Sequence, residues 1–233
     1  MAYDLYVRAE ALRAATSFNA RLKENLLEAT RLLDQAVARD PTFFLAYCRL
    51  AEAHDLIYFF GSDHTPARLA LANTAIQTAL RLRPDSGEAH LALAEHFYRG
   101  YRDYERALAE LTLARRTLPN DPHVFELTGF INRRQGRWEE STADLKRALE
   151  LDPRNLFFLQ QLSFTYQLQR QYRELAAVLD RALKLVPSDL ETRLARASID
   201  LAERADPRPA HTTIEAVVAE HPDAASTIAE RWL

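Results

Sequence analysis

One phrase recurs along this chain at a nearly fixed spacing: a small residue, four further positions, then a proline. It runs from Ala36 to Pro41, Ala79 to Pro84, Ala114 to Pro119, Ala148 to Pro153 and Ala182 to Pro187, with a weaker sixth copy from Val217 to Pro222. From the third proline onward the interval is 34 or 35 residues. Proline has no amide with which to continue a helix, and it disfavours helical geometry in the residue before it, so each copy marks a helix end. A period of this length fits one helical hairpin per repeat. Such a hairpin cannot bury its apolar face alone and must stack on its neighbours.

Composition agrees with helices and excludes several functions. Glycine is scarce, at five residues in 233, and no stretch alternates apolar with polar positions. The formal charge is −3, so no surplus of cations is available to neutralise a phosphate backbone, and nucleic acid is not an expected partner. One cysteine, Cys48, can form neither an internal disulfide nor a thiolate cluster, which fits a reducing, cytoplasmic setting. No run of eighteen apolar residues and no signal-peptide pattern is present, so membrane insertion is not expected. The chain opens in what reads as mid-helix at Ala2-Tyr3-Asp4 and closes on Arg231-Trp232-Leu233 without a helix stop. Both edges suggest a segment of something longer.

The expected organisation is one solenoid over 1–233, with units at about 2–41, 42–84, 85–119, 120–153, 154–187 and 188–222 and a terminal helix over 223–233. The fourth unit is the most regular. Its first helix carries Phe125, Thr128, Gly129 and Asn132, Gln135-Gly136-Arg137 breaks it, and Ser141, Leu145 and Ala148 share one face of the second. The fifth repeats this plan with Leu175, Leu179 and Ala182, and the third with Ala107, Leu111 and Ala114. One extra residue between Arg99 and Tyr104 predicts a longer turn in the third unit. Insertions of eight or nine residues, around Thr16 to Lys23 and Ile57 to Pro66, enlarge the first two. A last amphipathic stretch with Ala225, Ile228, Ala229 and Trp232 is expected to cover the end of the stack.

Small first-helix residues, alanines seven apart in the second helix and the closing proline together resemble the tetratricopeptide repeat. Leu127-Thr128-Gly129-Phe130-Ile131-Asn132 with Ser141, Ala148 and Pro153 is the best copy. The resemblance implies an all-α, right-handed α-α superhelix of about six hairpins, with first helices lining a concave groove. The opening Ala2 to Arg8 and the enlarged turns of units two and three are also similar to repeat regions that follow bacterial adenylate cyclase, winged-helix regulator or protein kinase domains in signalling proteins.

Carried onto this sequence, the contact positions of the family fall on Cys48, Arg49, Glu52, Glu88, Leu91, Glu95, Tyr98, Arg99, His123, Glu126, Phe130, Arg133, Arg134, Phe157, Gln160, Gln161, Phe164 and Gln167. Arginine forks among amides and aromatic rings would suit an extended peptide with an acidic residue and an apolar anchor. The implied function is a protein- or peptide-binding scaffold or sensor. The alternative is self-association that dimerises an attached effector, with the bulky run Tyr58-Phe59-Phe60 as its interface loop. The lysine and asparagine pattern of a carboxylate clamp is missing, since Leu127 and Phe157 hold corresponding places. No HExxH motif and no glycine-rich phosphate loop occurs, so neither catalysis, metal nor cofactor is expected.

Overall fold

The computed structural model describes residues 1–14 and 22–222, and these are helical with no strand among them. In chain order come α1 (Ala2–Ala14), α2 (Leu22–Arg39), α3 (Phe44–Phe59), α4 (Pro66–Leu82) and α5 (Gly87–His96), which a π-helical turn, Phe97–Tyr101, prolongs. There follow α6 (Tyr104–Thr117), α7 (Pro122–Arg134), α8 (Trp138–Leu151), α9 (Leu156–Leu168), α10 (Tyr172–Leu185), α11 (Leu190–Ala197), α12 (Ile199–Arg204) and α13 (Arg208–Glu220). The fold is the expected all-α array of hairpins. Two compact units divide it, Met1–Ile131 and Asn132–Leu233. Most of the first insertion, and the stretch carrying Ala225, Ile228, Ala229 and Trp232, lie outside the described residues.

The recurring phrase has a direct structural meaning. The last helical hydrogen bond of each second helix runs from the amide of the residue before the proline to the carbonyl of the small residue. Asp40 donates to Ala36 at 3.0 Å, Arg83 to Ala79 at 2.9 Å, Leu118 to Ala114 at 2.9 Å, Asp152 to Ala148 at 2.9 Å, Val186 to Ala182 at 3.0 Å and His221 to Val217 at 2.8 Å. Proline then ends the ladder one residue later, at a point where no further amide is needed. The donor residue is already extended, as in Asp152 (φ −131°, ψ 82°), which is the geometry a following proline favours.

The small residue matters for packing as well as for the cap. Ala36, Ala79, Ala114, Ala148 and Val217 are fully buried, and Ala182 nearly so. In the first unit Ala29 and Leu33, Ala72 and Ile76, and Ala107 and Leu111 are buried on the same helix faces. Leu145 and Ser141, then Leu175 and Leu179, do so in the second. That unit ends in a small cluster of Leu194 and Val217, against which Leu190, Ile214 and Val218 pack.

The turn inside each hairpin is also repeated, though the sequence disguises it. Gly61, Arg102, Gly136, Arg170 and Ala205 all adopt the left-handed conformation, at φ between 54° and 75°. In the fourth and fifth hairpins the pattern is the same bond for bond. Gly136 donates to Arg133 and Arg137 to Asn132, as Arg170 donates to Gln167 and Gln171 to Tyr166. These pairs satisfy carbonyls left open at the end of a first helix. Only two of the five positions are glycine, so the other three carry backbone strain.

The extra residue of the third hairpin does not lengthen the turn, contrary to the spacing argument. It is absorbed one step earlier, as the π-helical turn Phe97–Tyr101, after which Asp103 donates to Phe97. A π turn takes up a single inserted residue without breaking the helix. The start of the second insertion is likewise helical, because α3 continues to Phe59 before the loop that Pro66 closes.

Gly87, at the start of α5, meets the end of α6 closely. A Cβ there would lie 2.5 Å from Thr117 Oγ1 and 2.7 Å from the Ala114 carbonyl oxygen, the same oxygen that caps α6. Gly87→Ala is therefore expected to lower the urea midpoint, by ~1–3 kcal/mol of stability. Arg170→Gly, which relieves a left-handed side-chain conformation on an exposed turn, is expected to be neutral or to stabilise by up to ~1 kcal/mol. Parallel urea titrations of the two variants check both.

Candidate binding surfaces on the first helices

The contact positions expected in the first unit come together, and they do so with partners the sequence did not single out. Arg49 and Glu52 lie one turn apart on α3, and the Arg49 Nη1 to Glu52 Oε2 distance is 3.1 Å. The previous first helix adds Glu10 and Arg13. Arg49 Nε lies 3.2 Å from Glu10 Oε2, Arg13 Nη1 lies 2.5 Å from Glu10 Oε1, and Arg13 Nη2 pairs with Glu52 Oε1. Two carboxylates and two guanidiniums thus form a closed square between α1 and α3. Burial alone would raise Glu52, yet Arg13 and Arg49 bring it down to about 2.

Glu95 and Arg99 sit on the next first helix, one turn apart. The π turn carries Arg99, whose guanidinium carbon lies 5.6 Å from the centre of the Phe59 ring. Arg99 Nε and Glu95 Oε2 are 3.7 Å apart, beyond hydrogen-bond length, and both atoms are buried without a hydrogen-bond partner among the described residues. Burial, then the charge of Glu52, pushes Glu95 up to about 7, and Arg99 offsets this only in part. On α7, His123 Nδ1 lies 2.8 Å from Glu126 Oε2. Partial desolvation opposes protonation of that half-exposed imidazole, but Glu126 prevails and lifts it to about 9.

Aromatic residues proposed from sequence as contact groups are used mainly for packing here. Tyr98 and Phe130 are buried, with ring centres 6.4 Å apart, and Tyr98 also meets Phe59 at 6.3 Å and Tyr104 at 6.0 Å. In the bulky run of the second hairpin, Ile57 is fully buried, Tyr58 stacks on His64 at 3.9 Å, and Phe60 meets Phe59 edge-on at 5.4 Å. The run therefore leans on the π turn of the third hairpin.

A buried polar contact lies behind this face. His96 Nδ1 is 2.8 Å from Asp55 Oδ1, both nearly inaccessible. Burial raises the Asp55 carboxyl, although the bond to His96 lowers it. Nearby, His54 is buried beside Arg68, and burial first, then that arginine, brings it down to about 4. Cys48 is also buried, and burial lifts its thiol to about 12, the opposite of what a nucleophile requires. Among the described residues no group of three or more His, Cys, Asp or Glu could hold a metal ion.

In the second unit Arg133 is committed internally. Its Nη1 donates to the Gln161 carbonyl at 3.2 Å and to Thr165 Oγ1 at 3.1 Å, its Nη2 donates to Gln161 Oε1 at 3.0 Å, and its guanidinium stacks 4.9 Å from the Phe164 ring centre. It ties the end of α7 to α9. Gln160 donates to Asp189 at 3.3 Å, towards α11. Phe164, Gln167 and Leu168 are exposed on α9, Phe157 is half-buried, and Arg134 is exposed.

A scan against protein-family models matches none of them, and no curated protein matches the sequence. Among solved structures the chain is similar to PilW, a widely conserved type IV pilus biogenesis factor, at 18% identity and a TM-score of 0.70, with 97% of each chain covered. It is similar to a thermophilic TPR protein of Thermus thermophilus at 21% identity and a TM-score of 0.68, over 85% of this chain and 98% of that one. It is also similar to the human IFIT1 dimer with m7Gppp-AAAA, at 19% identity and a TM-score of 0.66, over 88% of this chain and 48% of that one. These likenesses show the fold. The chain has the tetratricopeptide-repeat architecture that its period implied.

Two consequences can be measured. Glu95 holds a proton in the folded state up to about pH 7, whereas the unfolded carboxyl loses it near 4.5, so its contribution to stability is full below 4.5 and is lost as pH rises through 7. Glu95→Gln should therefore stabilise the protein more at pH 8 than at pH 5, by ~1–3 kcal/mol, in urea unfolding at the two pH values. Arg133→Ala should lower stability by ~1–3 kcal/mol because it removes three internal hydrogen bonds and leaves buried Thr165 with a lost donor. Thermal unfolding of that variant beside Arg134→Ala, expected to change little, checks this.

Proposed function

We propose that this chain is a non-catalytic binding module that holds a protein partner, in the form of an extended peptide or an exposed segment, on the first-helix face of its first unit. The observation that carries the reading is the convergence of charged side chains from four successive first helices. Glu10 and Arg13, Arg49 and Glu52, Glu95 and Arg99, and His123 and Glu126 are brought together where the other faces of the same helices bury alanine and leucine. Burying so many ionised groups is costly for a purely structural surface, and apolar residues would pack the helices at least as well.

Further support comes from charge. The net formal charge of −3 and the mixture of signs on this face suit a protein rather than a polyanion. The likeness to IFIT1 concerns the fold and does not carry that protein's ligand to this one. No described helix is long and apolar enough to cross a membrane.

Selection from a random peptide display library on the whole chain tests the proposal. Enriched peptides should bind with micromolar affinity, and Glu52→Lys or Arg99→Glu should weaken them at least tenfold while far-UV circular dichroism is unchanged. No enrichment, together with a concentration-dependent dimer in sedimentation, would favour self-association instead.

A further inference from the structure

The charged face of the first unit is not uniformly satisfied. Glu10 and Glu52 are shared by Arg13 and Arg49, and Glu126 is taken by His123. Glu95 and Arg99 face each other without a direct hydrogen bond. Glu95 is more than nine-tenths buried, and among the described residues its Oε2 accepts no hydrogen bond and Arg99 Nε, 3.7 Å away, donates none. An acceptor and a donor, both buried and side by side, are each costly to leave unmet.

We propose that Glu95 and Arg99 are the anchor for an amide group of the bound partner, with the amide N–H donated to Glu95 Oε2 and the amide carbonyl accepting from Arg99 Nε–H. The assignment rests on the reading of this face as the peptide site and names the chemistry it recognises. Charge balance selects an amide over an ion. Above about pH 7, where Glu95 is ionised, the pair with Arg99 is neutral, so a partner ammonium or carboxylate would bring an uncompensated charge into a buried place, whereas an amide brings a donor and an acceptor and no charge.

Geometry agrees. A primary carboxamide, as in asparagine or glutamine, presents N–H and C=O on one side, and two hydrogen bonds of ordinary length can fan out to atoms 3.7 Å apart. A single trans peptide bond cannot do this, because its N–H and C=O point in opposite directions. The N–H and C=O of one extended residue do point the same way, so a partner backbone is the other source of the same chemistry. The Phe59 ring beneath the Arg99 guanidinium and the π turn that carries Arg99 hold the donor in place.

The test is a titration of the isotope-labelled whole chain with small probes at pH 8, where Glu95 is ionised, read at the Arg99 Nε–Hε and Glu95 carboxyl resonances by NMR. Acetamide stands for the side-chain carboxamide, N-acetylalanine N-methylamide for the extended residue, and N-methylacetamide for the lone trans amide. Acetate and methylammonium are the ionic probes. Saturable shifts with acetamide or with the alanine derivative, and not with N-methylacetamide, are expected, and whichever of the two binds more tightly identifies the source. Glu95→Ala and Arg99→Lys should each weaken that binding at least tenfold. Saturation by acetate or methylammonium instead, or by no probe at all, overturns the amide anchor. Because Arg99→Lys keeps the charge and loses only the planar Nε–H donor, its failure to weaken the amide would overturn it too, even if Glu95→Ala unfolds the chain. Peptides selected on the whole chain provide a separate readout. If they bind and ignore both substitutions, the anchor is wrong while the peptide-binding reading stands.

Discussion

Each second helix ends on one hydrogen bond, from the residue before a proline to the carbonyl of a small residue one turn back, and the hairpin order is built on that closure. The small residue sits where the start of its own hairpin's first helix comes close, as Gly87 of α5 shows where it meets the Ala114 carbonyl of α6. The proline must follow because any further helical residue would run past the point of contact. Close approach and helix termination are thus fixed at the same place in the chain. Loss of either would leave apolar faces such as Leu111 and Leu145 without a partner layer, which is the cost a repeat protein cannot absorb locally.

With the second helices committed to the core, the first helices are left to vary. In the first unit they collect ionic side chains. The insertion that distinguishes the third hairpin contributes to this, because the π turn it produces carries Arg99 to within reach of Glu95 and over Phe59. A local departure from helical hydrogen bonding is thereby tied to the most unusual electrostatics of the unit, in which burial and two neighbouring carboxylates keep Glu95 protonated up to about pH 7. In the second unit the corresponding arginine is spent differently. Arg133 gives its donors to Gln161 and Thr165, so its role there is to join α7 to α9.

The repeat, its helices and its buried positions were legible from the spacing because periodicity and proline act locally. Ala36, Ala79, Ala114, Ala148 and Ala182 could be placed in the core by inspection. The candidate site was legible only by carrying over first-helix positions, and this succeeded unevenly. Arg49, Glu52, Glu95, Arg99, His123 and Glu126 do share a face, but Glu10 and Arg13 were missed, and they complete it. Their signal was present as acidic and basic residues one turn apart on neighbouring first helices. Tyr98 and Phe130 had the right positions for contact, yet they turn inward onto each other. The left-handed turns at Arg102, Arg170 and Ala205 were hidden because no glycine marks them.

By itself, then, the sequence determined the helical class, the length of the repeat and the register of small residues, since these follow from interactions within about one turn of the chain. Only the tertiary structure decided which charges are paired, which aromatic rings are buried and where one inserted residue is absorbed. Those outcomes depend on the distance between side chains such as Glu95 and Glu52, which lie far apart in sequence. Desolvation and Coulomb forces acting across that distance have no counterpart in a linear pattern.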